Sequence, residues 1–170
     1  MITIKNTEFQ SNIRLCHLFN VLTKDQIVKI ITKLDEYISP NLKKADTAVR
    51  AASMILHDPM LVLEDLTKDE LKLVKEFVEV GANQYIIRKM RKTPYKLQKY
   101  ALVVTYEDTQ AEQWHMLMPD EVRVAFAPHI DEALAFKEKF PKKLTHKEKS
   151  MIALMDYLNR NVSSQKLAHN

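Results

Sequence analysis

The feature that most constrains this chain is its glycine content, because 170 residues contain one glycine, Gly81. An average protein of this length has about twelve. The P-loop, the Rossmann fingerprint, the glycine-rich loop of kinases and the G-x-S-x-G nucleophile elbow each need several glycines at fixed spacing, so these sites are excluded. Folds with many tight β-turns are disfavoured because those turns use glycine for positive φ angles. The sequence therefore predicts a mainly helical protein.

The rest of the composition is that of an ordinary globular protein, with 46% hydrophobic and 28% charged residues. Cys16 is the only cysteine, which excludes an internal disulfide and a disulfide-stapled secreted fold. The N-terminus lacks the apolar run of a signal peptide. The longest apolar runs, such as 101–104, are far shorter than the ~20 residues that span a bilayer. We therefore expect a cytoplasmic protein without a membrane partner.

Three capping boxes mark the starts of helices, because each places a threonine at the N-cap and a Glu or Gln three residues later. They are Thr23–Gln26, Thr67–Glu70 and Thr145–Glu148. Apolar residues at helical spacing follow each box, which predicts helices over 23–36, 67–80 and 145–160. Gly81 directly follows the second helix and is expected to end it with a positive φ angle.

Further helices are predicted from apolar spacing and from proline at helix starts. They cover 9–19, 43–57, 58–63, 94–100, 119–127 and 129–139. Two segments rich in β-branched and aromatic residues, 101–106 and 113–118, predict an antiparallel hairpin with a polar loop over 107–112. Alternation places Trp114, Met116 and Met118 on one side of it. That side is expected to be core, the alternative being a dimer or protein interface.

Two parts of the chain resemble known modules. Leu22–Ile31 followed by Asn41–Val49, with Lys43-Lys-Ala-Asp46, resembles the small helix–turn–helix modules of the SAP and Rho N-terminal type. Leu66–Phe126 resembles a winged helix, with a two-stranded wing over 101–118. This combination occurs in many uncharacterised bacterial proteins. The resemblance implies a fold and a tendency toward nucleic acid, but no reaction.

The predicted fold is mainly α, a helical bundle with a winged-helix-like part that contains one two-stranded β-hairpin. The predicted organisation is a helical module over 1–64, with the SAP/Rho-N-like part at 22–56, and a winged-helix-like domain over 65–140. A C-terminal helix over 141–161 and a frayed tail over 162–170 complete it.

The sharpest local signal is charge. Between residues 84 and 105 there are six cations and no acid. This basic stripe consists of Arg88, Lys89, Arg91, Lys92, Lys96 and Lys99. Lysine and arginine bind phosphates and release condensed counterions, and Tyr95 within the stripe can stack on a base. The alternative is a solvated face, or cations paired with the seven acids of residues 106–135. A further block, 136–170, carries eight cations against three acids.

No residue pattern indicates catalysis or a cofactor. The histidines are scattered without H-x-x-x-H or H-E-x-x-H spacing, so no metal site is expected. No nucleophile with a nearby base stands out. We therefore predict a non-catalytic protein that binds a DNA or RNA backbone through the basic stripe and Tyr95. The alternatives are a protein–protein adaptor, including a homodimer, and thirdly an enzyme of unrecognised class.

Overall fold

The computed structural model describes residues 1–8 and 13–168, with side chains described through residue 162. Helices and short strands alternate along the chain. In order they are β1 (Ile2–Ile4), α1 (Leu15–Val21), α2 (Lys24–Lys33), α3 (Lys44–His57), α4 (Met60–Leu63), α5 (Lys68–Val80), β2 (Ile86–Lys89), α6 (Lys96–Lys99), β3 (Val104–Asp108), β4 (Gln113–Leu117), α7 (Asp120–Phe126), a 3₁₀ turn (Ala127–His129), α8 (Ile130–Lys139) and α9 (His146–Ala168).

The helices predicted from capping boxes are confirmed. Thr23 accepts a hydrogen bond from the Gln26 amide at 3.2 Å while its own amide donates to the Gln26 side chain at 2.9 Å. Thr67 and Thr145 cap α5 and α9 through the amides three residues later. α9 continues to Ala168, beyond the predicted end near residue 160. Of the predicted helix over 9–19, residues 9–12 lie outside the described residues, as do 169–170 of the predicted tail.

The predicted fold class is wrong, because the chain forms a four-stranded mixed sheet and is an α+β protein. The predicted hairpin exists as β3 and β4, paired antiparallel from Val104–Leu117 to Asp108–Gln113. β4 also pairs antiparallel with β2, and β3 pairs in parallel with β1, so that the strand order is β1-β3-β4-β2. The two outer strands carry weak local signals, since β1 has three residues and β2 lies in the basic stripe.

One face of the sheet belongs to the core. Trp114 and Met116 of β4 are 2% and 0% exposed, which confirms that this side of the hairpin is core. Their partners on β2 are Arg88 and Ile86. The core continues without interruption from the sheet through the N-terminal helices, and its largest fully buried side chains include Phe19, Phe77 and Phe126.

Residues other than glycine adopt positive φ angles in this glycine-poor chain. Asp35, Asn83, Ala101 and Glu112 all have φ between 53° and 60°. Glu112 ends the hairpin loop, and its carbonyl accepts a hydrogen bond from the Met90 amide at 2.9 Å. Gly81 has φ 85° and ψ −168°, a combination that is essentially restricted to glycine. The predicted positive φ angle at Gly81 is confirmed.

Candidate functional site: a lysine-rich face around Asp65

The basic stripe of the sequence does not form one uniform surface. Arg88 points from β2 toward α5 and forms an ion pair with Glu76. The Arg91 guanidinium lies 4.0 Å from the centre of the Tyr95 ring, and its Nε donates to the Thr93 carbonyl at 3.2 Å. The Tyr95 ring also meets Trp114 edge-on. Arg88 and Tyr95 are therefore partly engaged by the protein itself.

The remaining lysines of the stripe lie in different places on the molecule. Lys89 and Lys92 are exposed on β2 and on the loop after it. Lys96 and Lys99, on the short helix α6, point to different places. Lys99 is exposed and lines a hollow with Lys29 and Lys33 of α2. Lys96 turns inward. Nucleic-acid binding by Arg88, Lys89, Arg91, Lys92, Lys96, Lys99 and Tyr95 stays a prediction.

Lys96 turns inward because a buried carboxylate attracts it. Asp65 follows α4 and is 7% exposed. The Lys96 ammonium lies 3.4 Å from Asp65 Oδ2 and 2.7 Å from the Asp65 backbone carbonyl. The Tyr100 hydroxyl donates to the same Oδ2, and the Lys143 ammonium lies 2.8 Å from Oδ1. One carboxylate thus connects the loop before α5, helix α6 and the segment between α8 and α9.

The pKa values follow from these contacts. Burial alone would raise the pKa of Asp65, but the contact with the Lys143 ammonium, the hydrogen bond from Tyr100 and the charge of Lys96 outweigh it and lower the pKa below its ordinary value. Burial and the bond to Asp65 raise the pKa of the Tyr100 hydroxyl, so that it stays protonated as a donor. The close contact with the Asp65 carboxylate raises the pKa of Lys143. Asp65 is therefore charged at neutral pH.

Lys137 is a further cation of this cluster, and unlike Lys96 and Lys143 it is buried. It lies on α8, is 7% exposed, and donates to the Glu64 carbonyl at 3.2 Å. It forms no ion pair among the described residues. Burial and the nearby charge of Lys96 lower its pKa. The cluster thus holds more positive charge than its single buried aspartate neutralises.

Three neighbouring hollows share lining residues and include this cluster. The surface that they form together is called here the lysine face. The Lys29–Lys33–Lys99 hollow shares Lys33 with a second hollow beside Asp65, and that one shares Lys137 and Lys143 with a third. The lining lysines are Lys29, Lys33, Lys68, Lys96, Lys99, Lys137, Lys142, Lys143 and Lys149. The lining acids are Asp35, Glu64 and Asp65.

The sequence analysis did not predict that these lysines lie on one surface. The cations of residues 136–170 stand out as a block, but nothing in the linear order connects them with α2 or α6. Their convergence depends on Asp65 and on the packing of α4 against α8. The available signal was the acidic pair Glu64-Asp65, which lies just before the Thr67 capping box.

Two other features were sought in the described part of the chain, namely a metal-ion site and a membrane-spanning helix. No group of three or more His, Cys, Asp or Glu side chains suited to a metal ion comes together among those residues. Within the same residues, no helix combines the length and the apolar character needed to cross a bilayer. Comparison with protein-family models, with curated proteins and with solved structures finds no match for this chain.

Proposed function

We propose that this protein binds nucleic acid without catalysis, holding the sugar–phosphate backbone through the lysine face. The observation that carries this proposal is the convergence of nine lysines from α2, α5, α6, α8 and the segment 142–149 on three connected hollows. Such a surface attracts a polyanion and gains free energy by releasing its counterions. Three acids line the same surface, and Glu64 and Asp65 are already paired with lysines.

The chemistry of the face favours binding that does not depend on base sequence. All of its cations are lysines, which act as flexible point charges and lack the rigid fork with which arginine reads guanine. Contacts to phosphates position a protein on nucleic acid without reading its sequence. We therefore expect similar affinities for unrelated duplexes of equal length.

The test compares two triple variants with equal loss of charge. Lys33→Ala with Lys99→Ala and Lys142→Ala removes exposed cations of the lysine face, and Lys89→Ala with Arg91→Ala and Lys92→Ala removes exposed cations of the basic stripe outside it. Fluorescence anisotropy measures their affinity for one duplex between about 50 and 200 mM salt, a range over which a protein with several phosphate contacts loses orders of magnitude in affinity. We expect the first variant to lose at least tenfold in affinity and to reduce the salt slope by about two to three.

A third variant, with Lys5, Lys44 and Lys72 changed to alanine, controls for net charge, since these exposed lysines line none of the three hollows. It should bind like the wild type. If the stripe variant alone loses binding, the site is the basic stripe and the lysine face is not the nucleic-acid interface. Absence of binding at low salt in the wild type overturns the proposal.

A second candidate function, protein–protein interaction, rests on α9. Met151, Met155, Leu158 and Val162 repeat at spacings of four, three and four residues, and each is between 51% and 58% exposed. Leu154 flanks them at 51%. This is the spacing of a coiled-coil seam, in which apolar residues repeat every 3.5 residues on average.

We infer that a second copy of this chain covers the apolar seam of α9. Five half-exposed side chains present roughly 400–500 Å² of apolar surface, as large as the largest patches on typical monomers. A specific interface buries about 1,000 Å² or more in total, which requires a partner with an equal apolar seam. A second copy presents such a seam by symmetry. The resulting dimer would carry two lysine faces.

A further inference from the structure

One of the three hollows has the properties of a small anion site. It is an open cavity of about 200 Å³ between the start of α5, helix α6 and the end of α8. Its walls include four lysines, namely Lys68, Lys96, Lys137 and Lys143, together with Asp65 and Thr67. Pockets for drug-sized ligands measure roughly 300–1,000 Å³, so this cavity suits a smaller group.

The charges around the cavity do not balance. Asp65 is the only buried carboxylate that lines it, and both of its oxygens are engaged, Oδ1 by Lys143 and Oδ2 by Lys96 and Tyr100. Lys137 has a backbone carbonyl as its hydrogen-bond acceptor. Lys68 pairs with Glu138 at 3.5 Å, outside the cavity lining. Among the lining residues, the ammonium groups of Lys96, Lys137 and Lys143 outnumber the single carboxylate of Asp65. The carboxylates of Glu70, near Lys96, and of Glu64, near Lys137, lie outside this lining and reduce the excess of positive charge.

We propose that this cavity binds the phosphate group of a phosphate monoester, whose negative charge is complementary to the lysines that line the cavity. Lys137 and Lys96 contact the phosphate oxygens, and Asp65 acts as a positioning residue that holds Lys96 and Lys143 at the rim. Within the proposed function, the natural source is the terminal phosphate of a nucleic-acid strand. Inorganic phosphate is the other source of the same group.

The lower pKa of Lys137 agrees with this assignment, because it reflects burial and the repulsion of Lys96. A bound dianion would relieve that repulsion and favour the protonated ammonium. Binding should therefore weaken as the pH rises and Lys137 loses its proton. The carboxylates of Asp65 and Glu64 also face Lys137 and favour its protonated form, whereas the charge of Lys143 opposes it. Below about pH 6 the phosphate monoester loses its second charge and binding should weaken again.

The direct test is titration of the intact protein with inorganic phosphate in chloride buffer, followed by calorimetry and by the unfolding temperature. We expect saturable binding and a rise in the unfolding temperature in the wild type. Lys137→Met keeps the aliphatic stem in its buried place but removes the charge, so it should lose at least tenfold in affinity. Lys139→Met is the matched control, since Lys139 is exposed on the same helix and does not line the cavity. It should bind like the wild type.

The stability of Lys137→Met provides an independent measurement. Removing a buried cation without a carboxylate partner should leave the unfolding temperature in phosphate-free buffer unchanged or raised, and should abolish the increase that phosphate causes in the wild type. If the variant fails to fold, Lys143→Ala at the half-exposed rim serves instead and should also weaken phosphate binding. Unchanged phosphate affinity in the folded variant, or no binding to the wild type, overturns the proposal.

Two further arms separate the sources of the phosphate. An oligonucleotide with a 5′-phosphate should bind the wild type at least tenfold more tightly than the same strand with a 5′-hydroxyl, and Lys137→Met should abolish this difference. Equal binding of the two strands, with saturable inorganic phosphate, assigns the cavity to free phosphate. The triple variant at Lys33, Lys99 and Lys142 should weaken both strands while leaving inorganic phosphate binding intact, so the cavity and the nucleic-acid function can fail separately.

Discussion

At the scale of single residues, Asp65 determines how the lysine face is arranged, because its carboxylate joins three separate parts of the chain. The Tyr100 hydroxyl is its buried donor, with Tyr100 4% exposed. A hydrogen bond to a charged group contributes about 1.5–3 kcal/mol, so Tyr100→Phe should lower the free energy of unfolding by that amount at pH 7. Urea unfolding measures this, with Tyr37→Phe as the control, since Tyr37 is 77% exposed.

The pH dependence of this loss identifies its cause. Since the pKa of Asp65 is lowered in the folded state, its contribution to stability is present above the ordinary value of 3.8 and is lost as the pH falls through the lowered pKa. The difference between wild type and Tyr100→Phe should therefore shrink below about pH 4. A difference that stays constant down to the pH at which the protein unfolds in acid would mean that the hydroxyl acts only through packing.

Gly81 is the other residue whose identity matters by itself. A methyl group at this position would meet no atom within 4 Å, so space does not require glycine. The backbone conformation does require glycine, because its φ is 85° and its ψ is −168°. Holding another residue in this conformation costs about 1–3 kcal/mol. Gly81→Ala should lower the free energy of unfolding by that amount, whereas Gln84→Ala nearby on the surface should change it by less than about 0.5 kcal/mol. A neutral Gly81→Ala would show that this turn relaxes.

At the scale of elements, strand β4 ties the sheet to the core. Trp114 is buried, its ring meets Tyr95 edge-on, and its Nε1 donates to Glu107 at 3.3 Å. Trp114→Ala should cost about 3–5 kcal/mol, measured by denaturant unfolding. Ile87→Ala is the control, because Ile87 lies on the opposite face of the sheet and is 46% exposed. An unchanged free energy of unfolding in Trp114→Ala would contradict this role of the Trp114 side chain.

At the scale of the whole molecule, α9 determines the oligomeric state that we infer. Light scattering should give twice the mass of one chain for the wild type. Met155→Glu with Leu158→Glu places two charges in the seam and should give a folded monomer, because burying unpaired charges is unfavourable. Arg160→Glu changes the net charge equally on the opposite side of α9 and should remain dimeric. A monomeric wild type at micromolar concentration would contradict the inferred dimer.

Local signals predicted the helices well, since a helix start depends on residues within four positions of one another. The boxes at Thr23, Thr67 and Thr145 each placed a helix within a residue of its observed start. The hairpin of β3 and β4 was also predictable, because only four residues separate its strands. β1 was not, since its partner β3 lies about a hundred residues further along the chain.

Neighbouring residues in the chain are enough to specify where helices begin, the positive φ at Gly81, the hairpin, and the excess of cations in two separate blocks. The tertiary structure alone decided the four-stranded sheet and the grouping of the cations. Lys96 belongs to one basic block in the sequence, yet it lies near Lys137 and Lys143 of the other, because all three contact Asp65 or the backbone carbonyl of Glu64. Charge is a property of residues, whereas a charged surface depends on which distant segments pack together, and no local pattern encodes that.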